Sequence, residues 1–320
     1  MNRLPAFHSP LANRMSEFVV FKRMQGYDYT DKARELTRFD LFLATTHNDR
    51  DRLYLDTIQQ YVAATVGLAP RTRENRLSVV RQFSRYLHAF DPESPVLPAD
   101  ILPRHPRRIR FCRITTDQVQ TLMDAAGCLQ PKNGVRSHCI RFLIGMLYCT
   151  GLRINEALKL NLRDIDFDRR SLFIRQGKFR KDRLVVISPS TIHALEEWLQ
   201  LRSRYAGTDA SAPLFIGAWN QRLTYHQASH AFALLCRRCD LRGPPSPRLH
   251  DLRHNYASQC LARWQQAGKD VGALLPVLAN AMGHVDFFAT QLYLHVNAET
   301  LIQAAAKFNA HVTTSKENRI

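Results

Sequence analysis

The stretch AMGHVDFFATQLYLH sets a tyrosine, Tyr293, nine residues after a histidine, His284. Nine residues of unbroken helix turn through about 900°, which would put the two side chains on opposite faces. Gly283 changes that geometry, because it ends the preceding helix and leaves His284 in a turn, with a new helix starting around Asp286 to Phe288. The two side chains then belong to different elements and can face one point. Alternatively, Tyr293 is a core tyrosine of an amphipathic helix beside Leu292 and Leu294.

Three further stretches hold groups that could work with them. In CTGLRINEALKL, Thr150 and Gly151 interrupt one helix and Arg153 begins the next, so a guanidinium emerges where free backbone N–H groups also point at an anion. Glu156, three residues on, can brace it; the plainer reading is a surface arginine paired to that glutamate. In RLHDLRHNYAS, His250 and Arg253 share a helical face, pairing a proton acceptor with a holder of phosphate oxygens, while His254 falls on a neighbouring face. In RQGKFRKDR, the cations Arg175, Lys178, Arg180, Lys181 and Arg183 oppose only Asp182, either as a solvated turn or as a lysine delivered to a DNA backbone. Two arginines, two histidines, a lysine and a tyrosine, with neither a metal-ligand cluster nor a glycine-rich phosphate loop, suit phosphoryl transfer in which side-chain cations replace a metal.

The elements that must carry these groups are mostly helical. Leu11, Met15, Phe18 and Val19 repeat at helical spacing up to Gly26; Leu36, Phe39 and Leu43 mark a second helix, Tyr54 to Val66 a third, and Leu77, Val80, Phe83 and Leu87 a fourth. Arg71, Arg73, Arg76, Arg81 and Arg85 give this module a basic face, or simply a solvated one. The five prolines between Asp91 and Phe111 then block regular helix, and Arg104, Arg107, Arg108 and Arg110 follow, suited to lying along phosphates. The division expected is an N-terminal helical domain over 1–95, a Pro/Arg-rich linker over 96–112 and a second domain over 113–320. Further helices are predicted over 116–126, 136–149, 190–205, 225–239, 249–267 and 271–281 and from Phe288 onward, with a basic β-hairpin between Ile165 and Ser188. The fold class is therefore mainly α with a small β-hairpin or sheet.

Composition narrows the partners. The 320 residues include 45 Lys and Arg against 28 Asp and Glu, a formal charge of +17 that draws the chain to polyanions, nucleic acid first. The apolar run from Phe142 to Leu152 is too short to span a bilayer, the N-terminus lacks a signal-peptide core, and no lipidation signal appears, so neither membrane nor export is expected. Seven cysteines, an odd number, point to a reducing, cytoplasmic setting, and Cys236 with Cys239 in CRRC lacks the second pair a zinc site needs.

Taken in order, the arginine of TGLR, a lysine in a β-hairpin, HxxR, GH and a tyrosine nine residues later resemble the tyrosine recombinase (phage integrase) family. The resemblance runs from about Phe111 to Lys307, and the N-terminal module matches the family's core-binding domain more loosely. It implies a C-terminal catalytic domain with Arg153, Lys178, His250, Arg253, His284 and Tyr293 as catalytic residues, Glu156 in support, and Arg104, Arg107, Arg108, Arg110, Arg180 and Lys181 on DNA. It implies no cofactor and no metal. The implied partners are double-stranded DNA with specific recombination sites and further protomers in a tetramer on paired sites, either identical or from a related recombinase. The implied activity is cutting and rejoining of DNA through a 3′-phosphotyrosyl intermediate; a type IB topoisomerase and a DNA-binding regulator descended from a recombinase are the alternatives. Two features depart from the family pattern. Phe179 stands where a glycine commonly follows the hairpin lysine, which keeps Lys181 as a substitute for Lys178, and the interval from Arg253 to His284 is longer than in compact relatives.

Overall fold

Apolar residues at helical spacing build the N-terminal part of the computed structural model, which describes residues 5–46, 49–101, 112–131, 134–177, 181–241, 243 and 246–283. The chain divides into two units, Met1–Arg108 and Ile109–Ile320. In the first, α1 (Ala12–Met24), α2 (Thr30–Thr46), α3 (Leu55–Ala64) and α4 (Pro70–His88) enclose Met15, Phe18, Leu36, Phe39, Leu77 and Phe83, all fully buried. The residues that set each predicted helix are the ones buried: Leu11, Met15, Phe18 and Val19 from α1; Leu36, Phe39 and Leu43 from α2. Pro70 stands in the first turn of α4, where its missing N–H costs no hydrogen bond. Asp40, wholly buried, accepts the backbone N–H groups of His8 (2.8 Å) and Ser9 (2.9 Å), which fastens the lead-in to α1.

The expected linker begins as packed chain. Leu97 is 1% exposed, its N–H donates to the Ser84 hydroxyl at 3.1 Å, and Arg81 Nη2 donates to the Pro98 carbonyl at 2.7 Å. Ile101 also packs against the first core. The prolines prevent helix here, yet two apolar side chains still find the core, so the stretch through Ile101 belongs to the first unit. Arg104, Arg107, Arg108 and Arg110 lie outside the described residues.

In the second unit, α6 (Val135–Thr150) is nearly encircled, and packs on α5 (Thr116–Ala125), α8 (Pro189–Arg202) and α10 (Leu249–Gln266). Its all-round apolar sequence, FLIGMLYC, suits burial on every side. After α7 (Ile154–Lys159) come β1 (Ile165–Asp166), β2 (Ser171–Ile174) and β3 (Arg183–Val186) in an antiparallel sheet of order β1–β2–β3. Strands β2 and β3 form the predicted hairpin, in the register Leu172 to Val185 and Ile174 to Arg183; β1, at the start of the same predicted stretch, adds a third strand that a hairpin does not include. Side α9 (Tyr225–Arg238) completes the main core, and α11 (Val271–Met282) docks on α10 through Leu275, Leu278 and Met282. Among the described residues, no helix is long and apolar enough to cross a membrane.

Candidate active site

Two glycine caps create the site. Gly151 ends α6 in the left-handed conformation (φ 63°), and the Tyr256 ring stands where a Cβ would go. Gly283 ends α11 in the same way (φ 65°), its N–H directed to the Ala279 and Asn280 carbonyls. The carbonyls that follow, of Ala281, Met282 and Gly283, lie past the last intrahelical donors and at the negative end of the helix dipole, and so need external donors. Three arginines supply them.

Arg183 Nε donates to the Ala281 carbonyl at 3.1 Å, Arg253 Nη2 to that of Met282 at 2.6 Å, and Arg153 Nη2 to that of Gly283 at 2.7 Å. Arg253 also donates through Nη1 to the Gly151 carbonyl at 2.7 Å, so one guanidinium ties the two glycine caps together. Three consecutive carbonyls thus gather three cations drawn from α7, β3 and α10. The sequence-predicted pair Arg153 and Arg253 is brought to one place, but the two are not equivalent. The Arg153 side chain is 21% exposed, whereas Arg253 is 2% exposed, beneath the surface.

Glu156 balances the charge. Its Oε1 accepts Arg153 Nη1 (2.7 Å) and Arg183 Nη1 (3.0 Å); its Oε2 accepts the Arg153 backbone N–H (3.0 Å) and Arg183 Nη2 (2.7 Å). Burial alone would raise its carboxyl pKa, but the two guanidiniums and the backbone N–H overcome that and hold it at about 2. With four hydrogen bonds on two oxygens, Glu156 is a fixed anion rather than a proton carrier. The reading of Arg153 as a surface arginine paired only to Glu156 falls short for the same reason: the pair is part of a partly buried cluster.

His250, in the first turn of α10, is exposed at the surface, with its ring edge-to-face on that of His254 at 4.6 Å. Desolvation by the surrounding chain and the charge of Arg253 lower the His250 pKa, against the pull of Asp251. His254 is lowered further, to about 4, by burial and by His250 itself. Both rings are therefore neutral near pH 7. Asn255, 3% exposed on α10, accepts the Ile114 N–H (3.1 Å) and donates to the Cys112 carbonyl (3.2 Å), which fixes the chain's entry into the unit against the helix that carries His250 and Arg253.

The hairpin loop leaves and returns beside Glu156. Gly177 N–H donates to the Lys181 carbonyl at 3.0 Å, Asp182 accepts the Gln176 N–H at 2.7 Å, and a Cβ on Gly177 would stand 3.1 Å from Arg183 Nη1. Lys181 is exposed on the returning side. Lys178, Arg180, His284 and Tyr293 lie outside the described residues. Arg183 is the site residue that motif spacing did not single out among the hairpin cations. Its signal was strand parity: it shares the inward phase of β3 with buried Val185, while Leu184 and Val186 point out. Among the described residues, no three His, Cys, Asp or Glu side chains gather closely enough to hold a metal ion.

Comparison with known proteins gives this arrangement a family. A model of the phage integrase family matches residues 112–300. An integrase/recombinase of Sinorhizobium fredii, y4rB, is 33% identical over 92% of this chain and 96% of its own length. The tyrosine recombinase XerD of Brucella suis is 32% identical over 86% of each chain. Among solved structures, XerH bound to its palindromic difH substrate after cleavage superimposes with a TM-score of 0.64 at 19% identity, covering 87% of this chain and 79% of that one. The Tn1549 transposon integrase with circular-intermediate DNA does so with a TM-score of 0.62 at 16% identity, over 88% and 94%.

Proposed function

The chain belongs to the phage integrase family, the tyrosine recombinases, and on that premise we propose how its own residues cut and rejoin DNA at specific sites. The observation that carries the proposal is the convergence of Arg153, Arg183 and Arg253 around Glu156 and the carboxyl end of α11, directly ahead of His284 and Tyr293. Tyr293 attacks the scissile phosphorus in line, forming a 3′-phosphotyrosyl bond and releasing the 5′-oxygen. The new ester conserves the phosphodiester's energy, so a second 5′-hydroxyl can reverse the step on another strand without ATP.

Arg153 is the more accessible clamp: with Nη1 on Glu156 and Nη2 on Gly283, its outward edge meets the non-bridging oxygens. Arg253 acts from beneath, where a desolvated guanidinium stabilises the charge that builds on the phosphorane; such contacts are each worth on the order of 3 kcal/mol in rate. His284 donates a further hydrogen bond to those oxygens. Lys178 protonates the leaving 5′-oxygen, with Lys181 in the same loop as its substitute. His250, neutral at pH 7, takes the proton from Tyr293, whose phenol has a pKa of about 10 and is otherwise a poor nucleophile.

The N-terminal helices form the core-binding domain, and the 113–320 domain performs catalysis. Arg104, Arg107, Arg108, Arg110 and Arg180 hold the duplex backbone, and the chain works in the cytoplasm as a tetramer on paired sites. The deciding experiment uses a nicked suicide duplex: Tyr293→Phe binds DNA as the parent does and forms no covalent adduct. An adduct from that variant would mean that another residue is the nucleophile. Analytical ultracentrifugation of the paired-site complex should give four protomers, and a complex of one protomer would remove the tetramer from the proposal.

A further inference from the structure

The reaction above leaves Arg183, one of the three arginines gathered at the site, without a task. Arg183 opens β3 with its side chain 10% exposed. Its two Nη groups grip both oxygens of Glu156, at 3.0 and 2.7 Å, and its Nε reaches the Ala281 carbonyl at 3.1 Å. A planar fork on a planar carboxylate fixes the anion's orientation as well as its distance, which a lysine cannot do. The oriented Glu156 in turn holds Nη1 and the backbone N–H of Arg153, and Arg153 reaches the Gly283 carbonyl, two residues along from the one Arg183 holds. The α7 N-terminus, β3 and the end of α11 are thereby locked to one another through a single guanidinium. Gly283 belongs to the lock, since a Cβ there would stand 2.8 Å from Arg183 Nη1.

We propose that Arg183 is a positioning residue: it orients Arg153 toward the scissile phosphate through Glu156 and the carboxyl end of α11, and does not itself touch DNA. The inference rests on the reading of Arg153 as a clamp on the phosphate. An ion pair that only stabilised the fold would leave the chemistry of every folded molecule alike, whatever the charge on the phosphate. A positioning residue makes the effect depend on that charge.

The test measures single-turnover cleavage of a suicide duplex by the full chain, with either an ordinary scissile phosphate or a methylphosphonate, in which a methyl group replaces one charged oxygen. A neutral centre has little need of an anion clamp. Arg183→Met is expected to bind DNA with the parent's affinity and to cleave the ordinary phosphate about 100-fold more slowly, the scale of a clamp misplaced by about 1 Å. Most of that deficit should vanish on the methylphosphonate, Arg153→Ala should show the same relief, and the double variant should be no slower than Arg153→Ala. Arg183→Lys keeps the charge that Glu156 needs while losing the fork, so it carries the same comparison with an intermediate deficit should the methionine variant not fold. Equal deficits on the two substrates, or multiplying deficits in the double variant, alongside relief of Arg153→Ala, would overturn the role of Arg183 and leave the clamp intact. No relief of Arg153→Ala would instead overturn the clamp and the inference built on it.

Discussion

Glu156 shows how a single buried anion can hold a cluster of cations in place. Folding holds its carboxyl at about 2, whereas an ordinary glutamate titrates at 4.5. As pH falls below 4.5 the unfolded chain takes up a proton that the folded chain refuses until about 2, so this group's stabilisation is complete above 4.5 and lost across that interval. Glu156→Gln should therefore cost about 3 kcal/mol at pH 7, the scale of leaving buried charges unpaired. The gap between the variant and its parent should narrow as urea unfolding is repeated toward pH 3, and a constant gap would show that the carboxylate's charge is not what matters. His250 responds in the opposite chemical sense but with the same direction in pH. Its lowered pKa keeps it an available base, so the acid limb of adduct formation, as the ring takes a proton, should be centred below 6.5. An acid limb centred above 6.5 would argue against His250 as the acceptor.

The elements depend on two left-handed caps. Replacing Gly151 by alanine imposes a left-handed conformation on a residue with a Cβ and drives that Cβ into the Tyr256 ring. Destabilisation of at least about 2 kcal/mol follows in urea titration, from backbone strain plus overpacking. Adding Tyr256→Ala to Gly151→Ala should recover the collision part and not the strain; no recovery would mean that the ring yields freely. Gly151 and Gly283 were legible in the sequence as helix ends, because glycine after a periodic apolar run has few other uses. The long helices were legible as well: Phe39 in α2 and Leu122 in α5 sit where a 3.6-residue period puts the core. Two kinds of feature were not. A strand of two residues, β1, has no period to detect. The destination of a guanidinium is a tertiary fact: strand parity turns Arg183 inward, but nothing local says that it grips Glu156 while Arg175 reaches Asp164 at 2.7 Å. The roles of Lys178, His284 and Tyr293 continue to rest on motif order and family membership.

At the scale of the molecule, the two units have separate cores and unequal charge. Residues 1–108 carry 17 Lys and Arg against 12 Asp and Glu, a net +5, and residues 109–320 carry the other 28 against 16, a net +12. The small net charge of the first unit already counts the acids paired with α4, where Arg71 meets Glu74 and Arg76 meets Glu35. Most of the attraction to a polyanion should therefore reside in the unit that holds the arginine cluster. A fragment of residues 109–320, with its own extensive core, is expected to fold and to form a covalent adduct on a suicide duplex, though with weaker binding because part of the contact surface is gone. The dependence of binding on salt measures how this contact is shared, since each neutralised phosphate adds about −0.9 to the slope of log K against log salt. The fragment should keep more than half of the full chain's slope while losing affinity at every salt concentration. A slope that fell below half would place most phosphate contacts within residues 1–108, on the basic face of α4 or on Arg104, Arg107 and Arg108, despite the small net charge of that unit.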